Sequence, residues 1–171
     1  MSVTEVIENS RRAVEADTAN AHVTFSVSGS LVGTTEVSLS AGRHRVTVDE
    51  PAALAGADAG ANPVEHALIA LASCQAVTYR FWAAQLGIAL DGLEVVAEGD
   101  LDVRGFFGFD SSIRPGFTSV RLAVTPLGPE PAERYQELAD AVDLHCPVLD
   151  LFGNTTSIER TLSLPALSQT G

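Results

Sequence analysis

One segment constrains the fold of this chain more than any other: NPVEHALIALASCQAVTYRFWAAQLG, which begins at Asn62. Asn62 is a favourable helix N-cap, Pro63 suits the first helical position, and Gly87 suits the residue that follows the last turn. Between these signals only Glu65 and Arg80 carry full charges. A helix that is apolar nearly all round is rarely stable in water. We therefore predict that this helix lies in the protein interior or in a subunit interface.

Strands are predicted where apolar and polar residues alternate, because alternate side chains of a strand face opposite sides of a sheet. The alternating segments are residues 22–28, 35–39, 43–48, 93–103, 118–125 and 158–164. The first three follow one another with Gly-containing connections, which favours an antiparallel meander. A loop rich in Gly and Phe, GFFGFDSSIRPGF, separates the fourth and fifth strands.

Apolar residues at helical spacing predict three further helices. They cover residues 2–16, 131–144 and 147–153, the last one starting at Pro147. There are no repeats, low-complexity tracts or linkers. We therefore predict one α+β domain over residues 1–171, with residues 1–20 as a helical extension and two main helices covering antiparallel strands.

Charge excludes several classes of function. The chain has 22 acidic residues against ten basic ones, all arginine, and a formal net charge of −12. Nucleic acids and anionic membrane surfaces would be repelled, so neither is an expected partner. The N-terminal region has no apolar leader and no segment resembles a membrane span, so a cytoplasmic location is expected.

The two cysteines are the candidate reactive groups. Cys74 lies midway along the apolar helix, and Cys146 directly precedes Pro147. As the N-cap of the short helix, Cys146 would face the positive end of the helix dipole, which favours a thiolate. The alternative for each is a buried thiol that packs as a small hydrophobic side chain. A metal site formed with His145 is not predicted, because the spacing matches no compact zinc motif.

Two motifs carry a family resemblance: NPVEHALIALASC around Cys74, and HCPV at residues 145–148. In this order they resemble the OsmC/Ohr family, the osmotically inducible protein C and organic hydroperoxide resistance proteins. The VTVDEP segment and the following Gly-rich loop are similar to the broader OsmC-like branch. The resemblance implies antiparallel strands around a long buried cysteine-bearing helix and a second helix, in an intertwined homodimer.

The resemblance also implies an activity. The implied activity is that of a thiol peroxidase of oxidative-stress defence that reduces organic hydroperoxides, with hydrogen peroxide as a further candidate substrate. Cys74 would be oxidised by the peroxide and Cys146 would form a disulfide with it. A dithiol reductant, such as a lipoyl protein, would restore both thiols, with no other cofactor and no metal.

Some residues depart from the pattern of the peroxidases in this family. Those peroxidases activate the cysteine with a glutamate ten residues before it and with an arginine from the N-terminal strands. This chain has Val64 at the glutamate position, and no arginine occurs between Arg12 and Arg43. Glu65 either substitutes for that glutamate or caps its helix. His145 either stabilises the neighbouring thiolate or simply occupies a helix terminus. The alternative hypothesis is therefore a dimeric binding or stress-associated protein of the same fold without efficient peroxidase activity.

Overall fold

Two antiparallel sheets and five helices form the part of the chain that the computed structural model describes, residues 1–164. In chain order the elements are α1 (Val3–Ala16), β1 (Val27–Leu31), β2 (Val37–Ala41), β3 (His44–Val48), α2 (Pro63–Leu86), β4 (Gly92–Leu101), α3 (Val103–Phe107), β5 (Phe117–Leu127), α4 (Ala132–His145) and α5 (Pro147–Gly153). Short 3-10 turns follow α1 and β3. The predicted α+β class is confirmed.

The long helix α2 has the termini that its sequence predicts. The side chain of Asn62 accepts a hydrogen bond from the backbone N–H of Glu65 at 2.9 Å, and the Glu65 carboxylate accepts the N–H of Asn62 at 2.8 Å. This reciprocal capping box satisfies two backbone donors that would otherwise lack a partner. At the other end Gly87 adopts a left-handed conformation with φ 63°, which a residue without Cβ adopts at little cost.

The strands form a three-stranded meander and a separate hairpin. β2 pairs with both β1 and β3, and Leu39 lies opposite Gly29 on one side and Val46 on the other. β4 pairs with β5 and the register shifts once, between Asp100 and Leu101. The predicted meander is confirmed, although its first strand begins later than expected.

The core lies where α2 and α4 meet. Leu138 and Val142 of α4 are completely buried, and Tyr79 and Ala83 of α2 pack into the same cluster as the buried Cys146. The hairpin β4–β5 covers another side of α2. One buried face of α2 therefore holds α4, α5 and the hairpin together.

Two expectations differ from the structure. The Gly- and Phe-rich connection is not wholly a loop, because the short helix α3 forms at its start. The strand predicted for residues 158–164 is not formed: the segment is irregular and exposed, and Ile158 is 89% accessible. A strand requires backbone partners on a neighbouring strand, and within residues 1–164 none lies beside this segment.

None of the helices within residues 1–164 is long and apolar enough to cross a membrane.

Candidate active site

The site is built where α4 ends and α5 begins against the middle of α2. Pro147 has no backbone N–H and cannot continue α4, so the chain turns at Cys146 and starts a new helix. Cys146 donates its N–H to Val142 O at 2.9 Å and accepts from Asp150 N at 3.0 Å. The turn is therefore fixed by backbone hydrogen bonds on both sides. Cys146 itself is only 2% exposed.

The structure brings the two predicted cysteines together. Cys74 is half-buried on the flank of α2, and its thiol lies beside the thiol of the buried Cys146. The backbone N–H of Val148, in the first turn of α5, also lies near the Cys74 sulfur. Both cysteines are free thiols. Two residues far apart in the sequence thus form one dithiol centre.

The surroundings hold Cys74 in its protonated form. Burial is the largest influence and raises the pKa of the Cys74 thiol, because a thiolate loses hydration there. The N–H of Val148 opposes this effect, whereas the neighbouring Cys146 raises the pKa further. Thr78 lies close to the sulfur, but its hydroxyl donates to the Cys74 carbonyl at 2.8 Å. One proton cannot serve both acceptors, so Thr78 gives the thiolate little support.

Glu65 lies well away from the dithiol centre. It is nine residues before Cys74 on the same helix, which places it about 13 Å along the axis and on the opposite face. Its carboxylate accepts the Asn62 N–H in the capping box. The contacts of Glu65 are thus those of a helix cap.

His145 is adjacent to Cys146 in sequence but faces other groups. Its Nδ1 lies 2.7 Å from Ala141 O, and its ring packs on Trp82 with 4.1 Å between centroids. Because a carbonyl can only accept, Nδ1 carries the proton of this hydrogen bond. The Trp82 contact places the imidazole against α2, where it links α4 to the long helix.

No arginine of residues 1–164 hydrogen-bonds to either thiol. Arg80 donates to Leu90 O at 2.5 Å, which anchors the loop after α2. Arg43 and Arg45 are exposed on the meander, as the alternation there predicts. Within residues 1–164 the dithiol centre thus has no arginine hydrogen-bonded to it that could lower a thiol pKa.

The Phe-rich connection forms an aromatic cluster on the surface. Phe107 lies 5.0 Å from Phe106 and 5.2 Å from Phe109, measured between ring centroids. The three rings are 46–75% exposed. They therefore form an exposed aromatic surface.

Sequence reasoning missed two buried polar residues. The Asp49 carboxylate is 1% exposed and accepts hydrogen bonds from the Thr35 hydroxyl at 2.6 Å and from the backbone N–H of Ala57 at 2.8 Å. These contacts lower the pKa of Asp49 to about 2, and the hydrogen bond from Thr35 has the largest effect. Asp49 thereby ties the meander to the loop before α2. The sequence signal that could have identified Asp49 is the VDEP motif at the end of an alternating strand.

Gln75 is the second buried polar residue. It is 1% exposed, and within the described residues neither atom of its amide has a hydrogen-bond partner. On α2 it lies in one row with Leu71 and Tyr79, at the centre of the buried face. The sequence shows Gln75 only as an interruption of an apolar run, and it does not indicate which helix face is buried.

Residues 1–164 contain no cluster of three or more His, Cys, Asp or Glu side chains able to hold a metal ion.

The fold and the two cysteine motifs define a class of protein. The family model of the OsmC-like proteins matches residues 56–161. The chain therefore belongs to the OsmC-like family. No curated protein sequence matches it significantly.

Solved structures of the same fold include family members from several bacteria. An OsmC-like protein from Mycoplasma pneumoniae superimposes with a TM-score of 0.67 at 18% identity, covering 77% of this chain and 88% of the other. An organic hydroperoxide resistance protein from Elizabethkingia anophelis gives 0.59 at 19% identity, covering 76% and 88%. One from Legionella pneumophila gives 0.59 at 18% identity, covering 76% and 89%. At these identities the similarity establishes the fold.

Proposed function

We propose that this protein is a thiol peroxidase that reduces organic hydroperoxides through Cys74 and Cys146. The observation that carries the proposal is that the two free thiols lie side by side. A disulfide requires two cysteines whose side chains meet, and this contact meets that requirement without a large backbone movement. Several solved structures of the same fold are named organic hydroperoxide resistance proteins, which supports the substrate class.

The chemistry runs in three steps. The Cys74 thiolate attacks one oxygen of ROOH, the O–O bond breaks, and the products are a Cys74 sulfenic acid and, after protonation, ROH. The Cys146 thiol then attacks the sulfenic sulfur, forming the disulfide and releasing water. A dithiol reductant, such as a lipoyl protein, exchanges with this disulfide, restores both thiols and leaves as its own cyclic disulfide.

Each neighbour of the dithiol centre has a defined part in these steps. The Val148 N–H lies near the Cys74 sulfur and would stabilise the thiolate when it forms. The burial of Cys146 shields the second thiol from bulk oxidant, so that Cys74 reacts first. We place this reaction in the cytoplasm, where a disulfide formed by oxidation can be reduced again.

A homodimer is part of the same proposal. The meander β1–β3 makes few contacts with the helices and with the other strands of its own chain, and every residue of β1 is exposed. Along α2 the outward face carries Ile69 and Val77, which are 52% and 57% exposed. A second copy could cover these apolar surfaces, because an isolated apolar helix face is unfavourable in water.

One observation favours a second candidate function. The pKa of Cys74 is raised rather than lowered, and no arginine supports the sulfur within the described residues. A poorly ionised thiol reacts slowly with peroxides. This environment suits a dimeric binding or stress-associated protein of the OsmC-like fold without efficient peroxidase activity.

Stoichiometric oxidation separates the two functions. The reduced protein is treated with one equivalent of cumene hydroperoxide, free thiols are counted over time, and disulfides are mapped by mass spectrometry. A peroxidase forms a Cys74–Cys146 disulfide rapidly and turns over with a dithiol. In Cys146→Ser the Cys74 sulfenic acid should accumulate and be trapped by dimedone, while Cys74→Ser should consume no peroxide. Slow loss of both thiols without a defined disulfide would favour the binding protein.

A further inference from the structure

A second concave site lies between β5 and α5, and neither thiol lines it. Its volume is about 430 Å³, which is in the range of small-molecule sites. The lining includes Arg114, Phe117, Thr118, Ser119, Leu151 and Phe152. The site is therefore built by two rigid elements and by the connection that precedes β5.

Its apolar part is formed by aromatic side chains from both elements. Phe117 of β5 and Phe152 of α5 are stacked, with ring centroids 6.2 Å apart and planes at 25°. Leu151 extends the same surface and is 55% exposed. Exposed apolar surface of this kind is covered favourably by an aromatic or branched hydrocarbon group, since the burial releases water from both partners.

In the polar part of the site, only one side chain has hydrogen-bond donors that are not already paired within residues 1–164. The hydroxyl of Ser119 donates to the Asp100 carboxylate at 2.6 Å, and that of Thr118 donates to the Asp100 carbonyl at 3.1 Å, so both hydroxyl protons are already used. Arg114 is the only charged residue that lines the site, and its side chain has no ion-pair partner within residues 1–164. The lining thus presents one unpaired guanidinium.

Asp100, the acidic residue that is hydrogen-bonded to the lining, does not neutralise the charge of Arg114. Asp100, which accepts from Ser119, is itself paired with Arg121 through two contacts, one of them 3.1 Å long. Its negative charge is thus compensated by a guanidinium other than that of Arg114. A planar carboxylate can accept two parallel hydrogen bonds from the free guanidinium.

We infer that this site binds a small molecule with one carboxylate and an aromatic or branched apolar body. Arg114 holds the carboxylate, while Phe117, Leu151 and Phe152 cover the body. The whole chain carries a net charge of −12 and repels anions at long range. A preference for a carboxylate over its neutral analogue must therefore arise from the local guanidinium. This inference is independent of the proposed thiol chemistry.

Isothermal titration of the reduced full-length protein tests the inference with a matched pair of probes, 3-phenylpropanoate and 3-phenylpropan-1-ol. The carboxylate should bind saturably and about tenfold or more tighter than the alcohol, because a charge-assisted pair is lost in the alcohol. Arg114→Gln should abolish that difference, and Phe152→Ala should weaken both probes. Arg43→Gln, which changes an exposed arginine on the meander, is the control and should leave both affinities unchanged.

Three results with the wild type and Arg114→Gln would overturn the inference. They are no saturable binding of 3-phenylpropanoate at millimolar concentrations, equal affinity for acid and alcohol, or an Arg114→Gln variant that still prefers the acid. A variant with both Cys74→Ser and Cys146→Ser should bind the probes normally. Loss of binding in that variant would place the probe at the thiols and would also refute the second site. Failure of peroxide reduction, by contrast, leaves the titration unaffected.

Discussion

Gln75 allows a quantitative test of how the core of this protein is built. Its side chain is 1% exposed, and both amide atoms lack hydrogen-bond partners in the described structure. A buried polar group without a partner costs about 1–3 kcal/mol, whereas an apolar group of similar volume avoids that cost. Leu71 lies one turn before Gln75 and Tyr79 one turn after, so the surroundings favour a hydrocarbon. Gln75→Leu should therefore raise the free energy of unfolding by about 2 kcal/mol.

The measurement is urea denaturation of the reduced protein, followed by far-UV circular dichroism at one fixed protein concentration, since self-association would change the apparent stability. For a chain of this size the change corresponds to a rise of roughly 4–8 °C in Tm. Gln85→Leu, at an exposed position of the same helix, is the matched control and should change stability by less than about 0.5 kcal/mol. If Gln75→Leu instead destabilises the protein, the amide is paired, for example with an internal water, and the reasoning is refuted.

Three further predictions follow from the packing and the pKa shifts. In Cys146→Ala the pKa of Cys74 should fall, because the neighbouring thiol raises it. Site-resolved alkylation by iodoacetamide across pH measures the midpoint of Cys74 ionisation, and an unchanged or higher midpoint would contradict the contact between the thiols. The depressed pKa of Asp49, about 2, means that its ionised form stabilises the fold above pH 4 and that this contribution is lost as pH falls from 4 to 2. Asp49→Asn should therefore be less stable than the wild type at neutral pH and approach it near pH 2 in denaturant titrations; a pH-independent difference would exclude the ionised carboxylate as the cause. Leu138→Ala removes a completely buried side chain and should cost about 2–5 kcal/mol in thermal or urea unfolding, and a loss below 1 kcal/mol would show that the core is loosely packed there.

Local chemistry made α2 predictable. The side chain of Asn62 bonds a backbone N–H three residues away, and Gly87 needs only its own backbone freedom, so these signals act without the rest of the fold. The break at Pro147 is equally local, because the missing N–H ends α4 wherever that helix packs. The meander was predictable from alternation because each of its strands pairs with a neighbour in sequence, although its first strand was placed too early.

Features that depend on a segment distant in the sequence were harder to predict. The alternation of residues 158–164 is typical of a strand, yet no strand lies beside the segment in the described chain. A strand, unlike a helix, takes its hydrogen bonds from another segment, so its own sequence cannot guarantee it. For Glu65 the sequence allows both roles, and the structure shows the capping contact. Nine residues of helix separate Glu65 from Cys74, which corresponds to about 13 Å along the axis.

The sequence by itself determined two local features and the candidate chemistry: a long apolar helix with Cys74 at its middle, and a helix break at Cys146. It did not determine that the two sulfurs meet, except through a family resemblance. Only the packing of α4 and α5 against α2 brings Cys146 and the Val148 N–H to Cys74 and buries Gln75 without a partner. The physical reason is that ionisation and desolvation depend on what surrounds a side chain in space, which hydrophobic periodicity does not encode.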